Sequence, residues 1–128
     1  MAVRIVRLGS ARERGEGLRL GTVRHPPRGV PKQEHASRNF YDVWMPELAP
    51  SAALVKRAQA SESPREWSTF VKQYRREMGA PEQTHLLRLL AALSATTGFS
   101  VGCYCADETR CHRSVLRALL AEHGAVLA

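Results

Sequence analysis

This sequence is short of the features that place a protein most quickly. No apolar run approaches the roughly 20 residues that a membrane-spanning helix needs, and no secretory apolar segment opens the chain. The start, "MAVRIVRLGSARERGEG", is poor in acids and rich in Arg, but its alternation of Val3, Ile5 and of Val6, Leu8 reads as a strand. Cysteines number only three, an odd count that excludes a fully paired disulfide framework within one chain and makes a reducing cytoplasm the expected location. There is no Cys-x-x-Cys redox pair, no Cys-x-x-Cys-His haem attachment, no internal repeat and no low-complexity segment. Aromatic residues make up 6% of the chain, and the basic stretch holds only Phe40, with Tyr41 just beyond it, for base stacking.

Acids are scarce in the first third. Residues 1–40 hold nine Lys/Arg against three Asp/Glu, whereas residues 41–128 hold ten against nine, so the net charge of +7 belongs to the N-terminal stretch. Such a stretch draws phosphates, nucleotides or nucleic acid by long-range attraction that salt weakens, although a solvated arginine-rich surface has the same composition.

What is present fits one globular domain over residues 1–128, with 44% hydrophobic and 24% charged residues. Residues 2–8 and 18–24 read as strands joined by the Gly-rich "GSARERGEG", and "HPPRGVPKQEHASRN" reads as a long loop. Helices are expected over "SAALVKRAQA", and from Ser63 with Pro64 and Glu66 as a capping box. That second helix buries Trp67, Phe70, Val71, Tyr74 and Met78 and stops at Gly79. A third runs from Pro81 with Leu86, Leu90 and Leu93 on one face, widened by Leu87 and Leu89. "FSVGCYC" is a strand with Phe99, Val101, Cys103 and Cys105 on one face, and a last helix from about Cys111 to His123 buries Val115, Leu116, Leu119 and Leu120. The expected fold is α/β, a single small domain with a mostly parallel sheet, helices packed on it and the last strand central.

The chemistry-bearing residues gather in "VGCYCADETRCHRSVL". A strand, a polar loop and a helix start place backbone N–H groups and the positive helix end at the carboxyl edge of a sheet, where α/β proteins collect ligands. A thiol there, beside His or Arg, has its thiolate favoured. Cys105 and Cys111 are the candidate reactive thiols, His112 a candidate base, and Arg113 a candidate anion clamp assisted by Ser114. The spacing from Cys105 to Arg110 or Arg113 fits no phosphatase-type loop. Cys103, Cys105, Cys111 and His112 would also make four zinc ligands, a reading kept as an alternative while no metal or other cofactor is assigned. Inert reduced cysteines are a third reading, and an oxidised sample can hold a Cys105–Cys111 disulfide if geometry permits.

"RLGTVRHPPRGVPK", "WMPELAPS", "REWSTFVKQYRREM" and "CYCADETRCHRSVL", in this order, closely resemble the YeaO-like family, domain of unknown function 488, over about residues 2–124. The resemblance implies an α/β domain with the Arg24/Arg28 loop and the cysteine loop at the same end of the sheet. It favours Arg24, Pro27, Arg28 and Gly29 in the first loop, and Cys105, Cys111, His112 and Arg113 in the second. Where relatives commonly carry an acid and an indole, this chain has Val23-Arg24-His25-Pro26-Pro27-Arg28-Gly29.

The expected function is a small anionic ligand held by Arg24, Arg28, Arg113 and Ser114 in a cleft, with thiol-dependent chemistry at Cys105 or Cys111 on a phosphate- or carboxylate-bearing substrate. The alternatives are nucleic-acid binding by the basic third and a zinc-stabilised domain. Salt bridges from Arg24 and Arg28 to Asp42 or Glu47 are a structural reading of the same arginines. No membrane partner is expected, and the residues do not set an oligomeric state.

Overall fold

In the computed structural model, which describes residues 1–128, four parallel strands lie in the order β1, β4, β2, β3. They are β1 (Val3–Arg7), β2 (Leu18–Gly21), β3 (Val43–Trp44) and β4 (Phe99–Cys103). The helices α1 (Ala52–Ala60), α2 (Pro64–Met78) and α3 (Pro81–Leu93) fill the crossover from β3 to β4, and α4 (His112–Glu122) follows β4. β4 is paired on both sides, with Val101 opposite Ile5 and Leu20, and is buried along its whole length. A near-continuous apolar run in the sequence is what such a central parallel strand requires.

Period-two alternation sorts the sheet into two unlike faces. Leu20, Phe99 and Val101 join one apolar core with residues from all four helices, among them Leu54, Phe70, Tyr74, Leu87, Leu90, Leu116 and Leu120. Arg4, Ser100 and Arg19 stand in register on the other face, which the connection over residues 8–17 covers. There Arg19, fully buried, meets the Glu16 carboxylate through Nε and Nη2, each at 2.9 Å, and Ser100 Oγ donates to the same carboxylate at 3.2 Å. The remaining Arg19 donors reach the carbonyls of Ser10, Asn39 and Ala11. This ion pair replaces the second helical layer that an α/β sheet usually carries. Gly17 makes the tight return possible: its φ is +79°, and a Cβ there would stand 2.0 Å from the Gly98 oxygen.

The helix starts follow the sequence closely. Ser63 accepts from the Glu66 N–H at 3.1 Å while its hydroxyl donates to the Glu66 carboxylate, and Ser51 caps α1. Three expectations differ. β2 ends at Gly21 rather than residue 24, because the chain turns away there to form the site. In α3 the buried face is Leu87, Leu90 and Ala91, while Leu89 and Leu93 are exposed; leucines all round the helix leave no single stripe for periodicity to choose. Cys105 lies beyond the end of β4 and is exposed, so it does not share the strand face of Phe99, Val101 and Cys103.

Candidate functional site

The carboxyl ends of β2 and β4 open onto a cleft of about 520 Å³. One wall is the loop over residues 23–28, another is Pro50 with Val55, Ala58 and Gln59 of α1, and α2 contributes Phe70. Cys103, Cys105, Cys111 and His112 line its floor, and Phe40 and Tyr104 meet edge to face at 6.2 Å to form an aromatic lip. None of the lining residues is Asp or Glu, whereas Arg24, Arg28, Arg110 and His25 are among them.

The thiols converge because β4 ends at Cys103 and Cys111 is the N-cap of α4. Between them the loop turns through an Asp107 cap, whose carboxylate accepts from the Thr109 N–H at 3.0 Å, and a 3-10 turn over Glu108–Arg110. That fold-back returns Cys111 to within 4.8 Å of Cys103, and Cys105, just past the strand end, has its sulfur 3.8 Å from that of Cys103. The Cys111 sulfur stands 3.8 Å from His112 Nδ1. All three cysteines are free; Cys103 and Cys111 are buried.

The neighbouring thiols of Cys103 and Cys111, and then the charge of Arg113, hold the Cys105 thiol well below the ordinary range against the opposing effect of burial. Cys103 moves the other way, driven by its hydrogen bonds to Cys105 and Cys111 and by burial. For Cys111 the hydrogen bond from Cys103 lowers the value, but that to Cys105 and burial outweigh it, and the net direction is up. These directions favour the thiolate at the one exposed sulfur and the neutral thiol at the two buried ones, of which Cys103 lies within 3.8 Å of Cys105.

His112 is fixed by its partner. Its Nε2 lies 2.7 Å from the Thr22 carbonyl, and a carbonyl only accepts, so Nε2 carries the proton and Nδ1 keeps its lone pair toward Cys111. Its ring packs edge to face on Tyr74 at 5.6 Å. Burial, partly offset by the Thr22 hydrogen bond, pushes its pKa down to about 4. In the unfolded chain it titrates near 6.5, so between these values the unfolded state binds the extra proton and stability falls as pH falls. The loss expected from His112 between about pH 7 and pH 5 is roughly 2 kcal/mol, read by chemical denaturation at both pH values; His112→Gln should flatten that window. Glu16, Asp42 and Glu108, all shifted downward, add their losses only at lower pH, as they protonate.

The sequence-derived anion-binding residues divide. Arg28 lines the cleft, is exposed and has no carboxylate partner. Arg24 also lines it, but its guanidinium is spent on three carbonyls, Pro50, Pro46 and Ala49, at 3.0, 3.1 and 3.1 Å. It anchors the Pro46–Ala49 turn instead of forming a salt bridge to Asp42 or Glu47; Asp42 is taken by Arg12. Arg113 is buried behind the cysteine loop and donates to the Cys105 carbonyl at 2.6 Å. It does not line the cleft, and neither does Ser114, whose hydroxyl turns back to the Cys111 carbonyl at 3.0 Å. The residue that sequence reasoning left out is Arg110, which lies over the Trp67 ring at 5.8 Å and faces the cleft. A turn residue beside a helix start carries no periodicity to separate it from Arg113.

Cys103, Cys111 and His112 also form a group whose donor atoms lie within 4.8 Å of one another. Two thiols and an imidazole suit a soft cation such as zinc, with Nδ1 the free ring nitrogen. No helix is long and apolar enough to cross a membrane.

Neither a curated protein nor a solved structure matches this chain. The family model described as the active DUF488-N3 subclade matches residues 3–124, and so takes in every strand, the cleft and the whole Cys/His cluster. The chain belongs to the DUF488 family.

Proposed function

We propose that this protein binds a small anion with an apolar or aromatic body in the cleft, and that the Cys105 thiolate acts on it as a nucleophile. The observation that carries the reading is an acid-free cleft with an exposed thiol on its floor and cations at its rim. Arg28 and Arg110 are the anion-binding groups, both able to present a guanidinium fork to a phosphate or carboxylate. Phe40, Tyr104, Phe70 and the prolines of the first loop take the apolar part. Arg113 and Arg24 act as positioning residues, the first by holding the Cys105 carbonyl and the second by holding the cleft wall. His112 orders the thiols through Nδ1 and remains neutral at neutral pH.

The basic N-terminal third supports nucleic-acid binding less well. Arg4, Arg12 and Arg19 are paired with Glu13, Asp42 and Glu16, and Arg7 and Arg24 donate to carbonyls. Arg14, Arg28, Lys32 and Arg38 remain, too few for a phosphate-tracking stripe of the usual kind.

Phenylphosphonate and inorganic phosphate are the probes. Phenylphosphonate should slow alkylation of Cys105 at lower concentration than phosphate, and Arg28→Ala should weaken this protection about tenfold, the effect of losing one charged hydrogen bond. Alkylation unchanged by saturating amounts of both anions would sink the reading.

A further inference from the structure

Beyond ligand binding, the three sulfurs have a relation that the cleft alone does not explain. Cys105 is exposed on the cleft floor and its sulfur is 3.8 Å from that of Cys103, which in turn lies within 4.8 Å of the Cys111 sulfur. Both neighbours are buried, and nothing else in the chain carries a thiol. A small oxidant entering the cleft therefore meets one sulfur first, finds Cys103 directly behind it and Cys111 beyond, within 4.8 Å of Cys103. We propose that Cys105 is a site of reversible oxidation by hydroperoxides, which closes onto one of the two buried thiols as an intrachain disulfide.

The steps balance without any other reactant. The Cys105 thiolate attacks the terminal peroxide oxygen, the O–O bond breaks, and hydroxide or alkoxide leaves with the bonding pair, so that Cys105 becomes a sulfenic acid. Cys103 or Cys111 then attacks the Cys105 sulfur. The S–O bond breaks, the leaving hydroxide takes the thiol proton and departs as water, and an S–S bond remains. Two sulfurs have lost one electron each, and the peroxide has gained both.

Geometry favours this second step over further oxidation. Closing 3.8 Å to the bonded distance of about 2.05 Å needs rotation of side chains and a modest shift of the loop. Cys105 sits on the loop after β4, outside the hydrogen-bonded strand, where such a shift disturbs no sheet pairing. On the Cys111 side, the free Nδ1 of His112 at 3.8 Å is placed to take the thiol proton in passing. Burial shields both neighbours from direct attack, so the chain loses its exposed nucleophile while its other thiols are kept from the oxidant. Oxidation then switches off the cleft chemistry, and reduction restores it.

The test uses the full chain. Reduced protein is treated with one equivalent of hydrogen peroxide, quenched with maleimide under denaturing conditions and mapped by peptide mass. The expected result is a loss of two hydrogens, a Cys105 peptide joined to Cys103 or Cys111, and full recovery of three thiols with dithiothreitol. Cys105→Ser should abolish the disulfide, and Cys103→Ala/Cys111→Ala should stop the reaction at a sulfenic acid that dimedone traps. Should the double variant not fold, mapping of the unaltered chain still decides. Cys105 carried to sulfinic or sulfonic acid, a disulfide between chains, or three thiols left free would each overturn the proposal.

Discussion

Arg19→Met unfolds this protein at a far lower denaturant concentration than the parent chain, with a loss of about 3–5 kcal/mol of stability. The substitution keeps volume and removes a guanidinium that is fully buried. Glu16, itself buried, is then left with only the Ser100 hydroxyl and the weak Glu13 N–H contact at its carboxylate. Burial pushes the Glu16 carboxyl upward, and in the parent chain the Arg19 hydrogen bonds and charge more than offset this, so that the group ends below its ordinary value. The Ser10 carbonyl also loses its donor and the Asn39 carbonyl keeps only the Gly9 N–H, which loosens the connection that covers the sheet. Glu16→Gln in the Arg19→Met background should recover part of the loss, because it removes the unpaired charge. A variant as stable as the parent would show that the residue 8–17 connection contributes little to the fold.

Cys105→Ser should remove the fast phase of alkylation at neutral pH and leave two thiols that react at least about 100-fold more slowly. The reason is division of labour among the sulfurs. Cys105 is exposed, with its pKa lowered by its thiol neighbours and by the charge of Arg113, while Cys103 and Cys111 are buried and shifted upward. Because the Cys105 side chain is exposed, serine there should leave thermal stability within about 0.5 kcal/mol of the parent. Loss of the fast phase from Cys111→Ser with Cys105 intact would instead place the reactive sulfur at the helix start.

The sequence made some of this legible and hid the rest for physical reasons. α2 could be read to the residue, since Ser63, Pro64 and Glu66 are local capping chemistry and the aromatic stripe has one period. The central place of β4 followed from the order of elements, strands at both ends of the chain with helices between them. β3 could not be read, because two residues in a strand leave no alternation to detect. Arg19 was equally opaque: within "LRLG" a charged residue reads as solvent-facing, yet Arg19 is buried and Leu18 exposed, since the partner that accepts the charge lies in the preceding loop. At the site, the clustering of Cys105, Cys111 and His112 was visible as spacing. Which arginines face the cleft was not, because Arg110 and Arg113 are three residues apart across a change from turn to helix.

The proposed chemistry requires one exposed thiolate, and the decisive measurement is the rate of alkylation against pH, resolved for each cysteine by mass. One fast sulfur is expected, mapped to Cys105, with a rate nearly constant from about pH 6 to 8, because a thiolate already formed gains nothing from added base. Three slow sulfurs whose rates rise about tenfold per pH unit, or release of stoichiometric zinc as they react, would contradict it and leave a reduced or metal-filled structural cluster in its place.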